Sequence, residues 1–231
     1  MSTGACYADA VADDDASGWW AALGAGSDLL SNPAASTVDN STYTPDAIGT
    51  PLFINLGAGY QFDFLSDWIP TARLGLLYQW NSKTQLGGTF ISNNSSAYAY
   101  SDEIGSNALF VNGQVDIFRW AGFAPYIDLG LGGAYNSFSN YYQDNQQTQQ
   151  GVVSPAYSNK STLAFAYLAG AGLDYAIPVA AGHLHVSFNY DYVSLGDANA
   201  GPASASANSG ASGFKQSLAG NELGATLRYN F

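Results

Sequence analysis

The final ten residues, ELGATLRYNF, alternate without a slip. Leu223, Ala225, Leu227, Tyr229 and Phe231 fall on one side, and Glu222, Gly224, Thr226, Arg228 and Asn230 on the other. A period of two puts every second side chain on the same face of an extended strand. The pattern recurs along the chain. PLFINLGAGYQFDF sets Leu52, Ile54, Leu56, Ala58, Tyr60, Phe62 and Phe64 against Phe53, Asn55, Gly57, Gly59, Gln61 and Asp63. TARLGLLYQW, LFVNGQVDIF, YIDLGLGGAY, LAFAYLAGAGLDYAI and LHVSFNYDYV split in the same way, and GWWAALGAGSD is a weaker copy. Eight such segments predict eight strands, each with one apolar face.

The connections fall into two alternating classes. LSDWIP, RWAGF and PVAAG are short, whereas the stretches around 29–50, 83–105, 139–160 and 196–217 are long and polar. An up-and-down antiparallel meander whose two ends differ gives this order. In lipid every backbone polar group needs a partner, so a spanning sheet must close on itself and its last strand must pair with its first. The alternation running into Phe231 suits a closing strand with an aromatic at the membrane boundary.

Composition narrows the choice further. Charged residues are 10% of the chain, against ~25% in an ordinary soluble domain. A net charge of −12 with six Lys plus Arg leaves no basic face for nucleic acid. No apolar run reaches the ~18 residues of a transmembrane helix, but a barrel strand needs only ~9–11. Cys6 is the single cysteine, so an intrachain disulfide is impossible. With no His/Cys cluster, and with YSDEIG (Asp102, Glu103) too sparse for a calcium loop, neither a metal nor a cofactor is expected.

Residues 17–231 resemble the small eight-stranded Gram-negative outer-membrane barrels of the OmpA, OmpX, OmpW and opacity-protein type. The resemblance rests on strand number, the asymmetry of the connections, GWWAALGAG in the first strand and the terminal LRYNF. It implies an all-β, eight-stranded antiparallel transmembrane barrel with short periplasmic turns and four long extracellular loops. It further implies a single barrel in the bacterial outer membrane, surrounded by lipid and lipopolysaccharide, whose C-terminal strand is read by the barrel-assembly machinery. Residues 1–16 are read as a periplasmic N-terminal arm with a leader remnant, where Ala8 and Ala10 form an A-x-A site.

Aromatic residues are predicted to form two girdles. Trp19, Phe62, Phe64, Trp68, Trp120, Tyr175, Tyr229 and Phe231 fall near the short-turn end, and Trp80, with Tyr78, Tyr135 and Tyr192, toward the long loops. A soluble barrel with its apolar face inward would alternate as well. The polar set here, rich in Gly, Asn, Gln and Thr and poor in Lys and Glu, suits a crowded lumen better than a watered exterior.

With the apolar set toward lipid, Asp63, Arg73, Asp116, Asp128, Asp174, His185 and Arg228 point inward and are expected to form a belt in the periplasmic half, with Asp191 and Glu222 higher. Four carboxylates against two arginines leave an imbalance. Either His185 is charged by its neighbours or one carboxyl keeps its proton. The belt then serves as a plug that fixes strand register, or as a narrow polar path that responds to pH. Inward glycines leave room for water, or let Trp20, Phe53, Phe110 and Tyr126 fold across the lumen.

HVSFN places His185 two residues before Ser187, a spacing shared with a lipid A deacylase of this architecture. Both residues are phased into the lumen at the periplasmic end, and the long loops hold no histidine to serve as base, so no enzymatic activity is expected. Lys83, Lys160 and Lys215 at the outer loops could meet lipid A phosphates. Tyr141, Tyr142 and Tyr157 offer rigid amphipathic area to a host or phage ligand, or pack on the barrel rim. The sequence thus predicts a structural and surface-interaction barrel with a largely plugged polar lumen. A narrow pH-sensitive pore is the alternative, and a lipid A-modifying enzyme is less favoured.

Overall fold

The computed structural model describes residues 17–30, 36–38, 41–64, 69–91, 97–145, 157–179, 182–201 and 215–231. The arm at 1–16 and Trp68 lie outside these residues. Strands β1 (Gly18–Leu30), β2 (Ser36–Val38), β3 (Ser41–Ile48), β4 (Leu52–Asp63), β5 (Thr71–Ile91), β6 (Ala97–Asp116), β7 (Phe123–Asn145), β8 (Lys160–Val179), β9 (Gly182–Asn199) and β10 (Lys215–Asn230) form one antiparallel sheet. No helix occurs among the described residues.

The sheet closes. β10 pairs with β1 from Trp20↔Asn230 to Leu30↔Gly220, and Phe231 N donates to Trp19 O at 2.9 Å. The ring has eight positions because β3 and β4 share one: β4 pairs with the lower part of β5, and β3 with its upper part. The short β2 pairs only with β3, as a small hairpin outside the ring. At the short-turn end, Ala121 (φ 50°) and Gly122 (φ 85°) turn β6 into β7. Two successive left-handed residues match the right-handed twist of the strands they join, and glycine adopts that geometry without cost.

Of the loops expected from sequence, 83–105 is largely strand and 139–160 begins as strand. β5 and β6 pair as far as Ile91↔Ala97, and β6 and β7 as far as Tyr98↔Asn145. A 20-residue strand tilted ~40° stands roughly 50 Å tall, about twice the ~25 Å apolar band of an outer-membrane barrel. The upper half of the barrel therefore stands clear of the membrane.

The outward set is exposed and apolar. Leu23, Leu56, Leu74, Leu76, Val111 and Leu227 are all at least half exposed, a surface that lipid covers and water does not. Trp19, Phe62, Phe64, Trp120, Tyr175 and Phe231 are exposed near the periplasmic rim, with Tyr229 half-buried, while Trp80 is exposed higher up. Edge-on ring contacts link neighbours within the lower girdle, Trp19–Tyr60 at 5.4 Å and Tyr229–Phe231 at 5.0 Å.

Candidate functional site: a lumen in three tiers

The lowest tier is ionic. Arg73, third residue of β5 and next on the inner face after buried Thr71, reaches Asp116 at the foot of β6 with two bonds of 2.7 and 2.9 Å, and its Nε donates to Gln61 Oε1 at 3.0 Å. From the opposite wall Arg228 of β10 donates to Asp174 of β8. Arg73 also comes within 3.6 Å of Asp174, which joins the two pairs across the barrel. All four side chains are 5% exposed or less. Two guanidinium groups meet two carboxylates, so the tier is neutral as it stands.

The structure redistributes the carboxylates that the sequence placed in one belt. Asp63 is exposed at the periplasmic rim, where its Oδ1 accepts from Thr71 Oγ1 at 3.2 Å, so it is not a member of the buried belt. Asp128 is also absent from this tier and faces Asp191 higher up. Two of the four counted carboxylates therefore need no partner here. His185 donates from Nδ1 to Asp174 at 3.0 Å, while Asn230 Nδ2 lies 3.3 Å from its Nε2 and 3.0 Å from Gln61 Oε1. Arg119, in the turn below, adds a bond to Thr71 and lies 3.8 Å from Asp116. Sequence reasoning passed over it because it stands between strands.

Ser187 completes the tier without resembling a nucleophile. Its hydroxyl donates to Asp174 Oδ1 at 2.6 Å, and His185 binds the same carboxylate through the other oxygen. A serine activated for attack would give its proton to the imidazole. Here both residues hold one aspartate in place.

The middle tier is acidic. Asp28↔Glu222, Glu222↔Asp191, Asp191↔Gly170 and Gly170↔Asp128 are consecutive cross-strand partners, so one row runs over β1, β10, β9, β8 and β7. Glycine at 170 is required, because a Cβ there would strike Asp191 Oδ1. Glu222 accepts from Gln79 Nε2 at 2.6 Å, and that amide also reaches Asn81. Below and beside the row is a cavity of about 70 Å³ bounded by Trp20, Asn55, Gln114, Tyr126, Asp128 and Asp191, among others. Several polar atoms there lack a hydrogen-bond partner, including Trp20 Nε1, Asn55 Oδ1, Gln114 Nε2 and Asp191 Oδ1. A cavity of this size and polarity holds a few waters.

Large rings crowd this space. Trp20 is 7% exposed and lies over Gly57, Gly59 and Gly75, where a Cβ at 75 would come within 2.5 Å of the indole. Phe53 and Tyr126 are also buried.

Above the acidic row an apolar cluster fills much of the lumen and runs up into the protruding half. Ile104, Phe110, Phe138, Leu168, Val193 and Leu195 are at most 4% exposed and belong to one cluster with Leu86, Tyr100, Tyr141 and Tyr157. Buried polar side chains share this height, Asp102, Ser106 and Asn136 among them. Of the two readings open for Tyr141 and Tyr157, the structure takes packing over surface contact: both are buried and meet edge-on at 5.0 Å. Tyr142 is 43% exposed. Lys160 is exposed, whereas Lys83 pairs with Glu103 at 3.4 Å and Lys215 with Asp197 at 2.8 Å, both lysines well solvated.

No family model matches the chain, and no curated relative does. Among solved structures, the outer-membrane protein OprG from Pseudomonas aeruginosa is 14% identical with a TM-score of 0.50, covering 93% of this chain and 97% of its own. Ail, the attachment invasion locus protein of Yersinia pestis, is 16% identical with a TM-score of 0.39 over 92% and 98%. Neisserial surface protein A is 14% identical with a TM-score of 0.37 over 92% and 96%. The chain thus has the fold of the small eight-stranded bacterial outer-membrane barrels.

Proposed function

We propose that the protein is an outer-membrane barrel with a closed lumen, and that it acts at its extracellular rim as a surface-interaction protein. The observation that carries this is the apolar core that runs from above the acidic row into the protruding half. A water-filled pore has no use for Phe110, Phe138 and Leu195 packed at its axis. A rigid pedestal that holds loop tips well above the membrane does. The neutral Arg–Asp tier seals the other end and fixes register, since each of its members comes from a different strand or turn.

The partners follow from this position. Lipid covers the outward face, and lipopolysaccharide headgroups are level with Lys83, Lys160 and Lys215; the weak surface pairings of Lys83 and Lys215 yield easily to phosphate. Host or phage surfaces would be met by the connections from β5 to β6, β7 to β8 and β9 to β10, with Tyr142 near the end of β7. A catalytic role draws no support from the His185–Asp174–Ser187 geometry. A conducting path draws some support from the wet cavity, but it would have to cross both closed tiers.

The test is to replace those three segments with two-residue turns and compare cells displaying either protein for binding to lipopolysaccharide and to host-cell surfaces. Loss of binding with unchanged refolding supports rim function. Binding that survives all three replacements overturns it.

A further inference from the structure

The outer wall carries a recess at the seam where the barrel closes. One outward cross-strand row reads Trp80, Ile54, Ala25, Ala225, Phe188 over β5, β4, β1, β10 and β9. The outward row below it, nearer the periplasm, reads Tyr78, Leu56, Leu23, Leu227, Val186. Large side chains fill the lower row across its width, whereas two adjacent alanines interrupt the upper one. Ala25 and Ala225 lie at the bottom of a recess of about 840 Å³, bounded by Ile54 and Trp80 on one side, Phe188 on the other, and Leu52 and Leu223 above. All five of these bounding side chains are exposed.

The recess is apolar below and polar above. Ser27, the next outward residue above Ala25, and Ser82, above Trp80, both line its upper edge. Ser82 Oγ accepts from Leu52 N at 2.9 Å, which leaves the hydroxyl proton to donate outward. Immediately above, the register between β5 and β6 shifts, so that Ser82 and Lys83 stand together between buried Asn81 and buried Thr84. That step puts Lys83 on the outer face. Its side chain is 57% exposed, and its ammonium lies 3.4 Å from Glu103 in a surface pair that an anion displaces at little cost. Along the membrane normal the wall thus offers a slot for an alkyl chain, then hydroxyl groups, then a cation. A phosphorylated amphiphile carries the complementary groups in the same order.

We propose that this recess holds one acyl chain of a lipid A molecule, with the lipid's phosphate toward Lys83. Lipid covers the whole outward face, but elsewhere the wall is convex and a chain touches it on one side. In the recess a chain is touched on three sides, and it makes the dispersion contacts that an empty slot forfeits. A second barrel fits less well, because two convex walls meet along a line and neither has a protrusion to fill the slot of the other. The short turns are periplasmic, so a recess walled by Trp80 opens to the outer leaflet, where lipid A rather than phospholipid is the resident amphiphile. The site is separate from the extracellular rim. On a cell it is already filled from the surrounding leaflet, so the binding of added ligands at the rim does not report on it.

The experiment refolds the full chain in detergent micelles carrying equal amounts of lipid A and phosphatidylglycerol, and reads the retained lipid by native mass spectrometry after detergent exchange. Wild type should keep lipid A in preference to phosphatidylglycerol. Ala25→Leu/Ala225→Leu, which fills the slot from the lipid side, should keep roughly tenfold less lipid A with the same heat-modifiable gel shift. Lys83→Gln should keep roughly threefold less. Wild type that keeps no lipid A, or keeps both lipids equally, overturns the proposal, as do lipid-free pairs of barrels or a folded double variant that keeps as much. In case the double variant does not fold, lipid A with brominated acyl chains is added at one molecule per barrel and tryptophan quenching is measured. Of the described tryptophans only Trp80 borders the recess, so Trp80→Phe should remove most of the quenching, and quenching that persists overturns the site.

Discussion

Replacing Arg73 with methionine removes the centre of the ionic tier while preserving most of its bulk. The structure allows the cost to be worked out partner by partner. Asp116 is fully buried and loses both of its guanidinium bonds. Gln61 loses one donor but still accepts from Asn230. Asp174 loses only a 3.6 Å contact and keeps Arg228, His185 and Ser187. Breaking a buried pair by deleting one member costs about 3–5 kcal/mol. Arg119, 3.8 Å from Asp116 and a third exposed, can move in, so about 3 kcal/mol is expected, roughly a hundredfold in the unfolding constant. Adding Asp116→Leu removes the stranded charge, and the double variant should return to within about 1 kcal/mol of wild type. Urea unfolding of the refolded barrel, followed by tryptophan fluorescence, measures the full cycle. A single variant that costs under about 1 kcal/mol, or a double variant no better than the single, would refute the neutral-tier account.

Three further outcomes are expected. Gly75→Val should block refolding, seen as loss of the heat-modifiable gel shift, because its Cβ meets both the Trp20 indole and Ala58 O at 2.5 Å. Ser187→Ala should cost about 1–2 kcal/mol in the same urea assay, the value of one hydrogen bond to a charged group, and should leave any surface-binding activity intact. Asp102 is 2% exposed in the protruding half with neither carboxylate oxygen partnered. Asp102→Asn should therefore stabilise the barrel by roughly 1 kcal/mol at pH 8, read as a higher urea midpoint.

Strand parity was legible because a period of two survives any amount of lipid or water outside. Leu223 to Phe231 and Leu52 to Phe64 announce both the sheet and its lipid-facing side. Parity does not survive a bulge. Asn140 (φ 56°) stands between inward Phe138 and inward Tyr141, and Gly196 (φ 71°) between inward Leu195 and inward Ala198. Each inserts a three-residue step that strict alternation does not follow. Tier membership was hidden for a different reason. Asp128 is the sixth residue of β7 and Asp191 the tenth of β9, yet strand stagger brings them to one row through Gly170. Counting residues from the turns cannot recover that shear. The upper strands were missed because water, not lipid, bathes their outer face, so Ser101, Ser137 and Ser139 replace the leucines that mark strands lower down.

The closed lumen is tested most directly by single-channel current through the refolded wild-type barrel in a planar bilayer, across pH 5–8, with folding confirmed by the gel shift. The account predicts a silent membrane at every pH, because the Arg73–Asp116–Asp174–Arg228 tier and the Phe110–Phe138–Leu195 core block the axis at two separate heights. Discrete openings that change on Asp116→Asn would contradict it and make the ionic tier a gate.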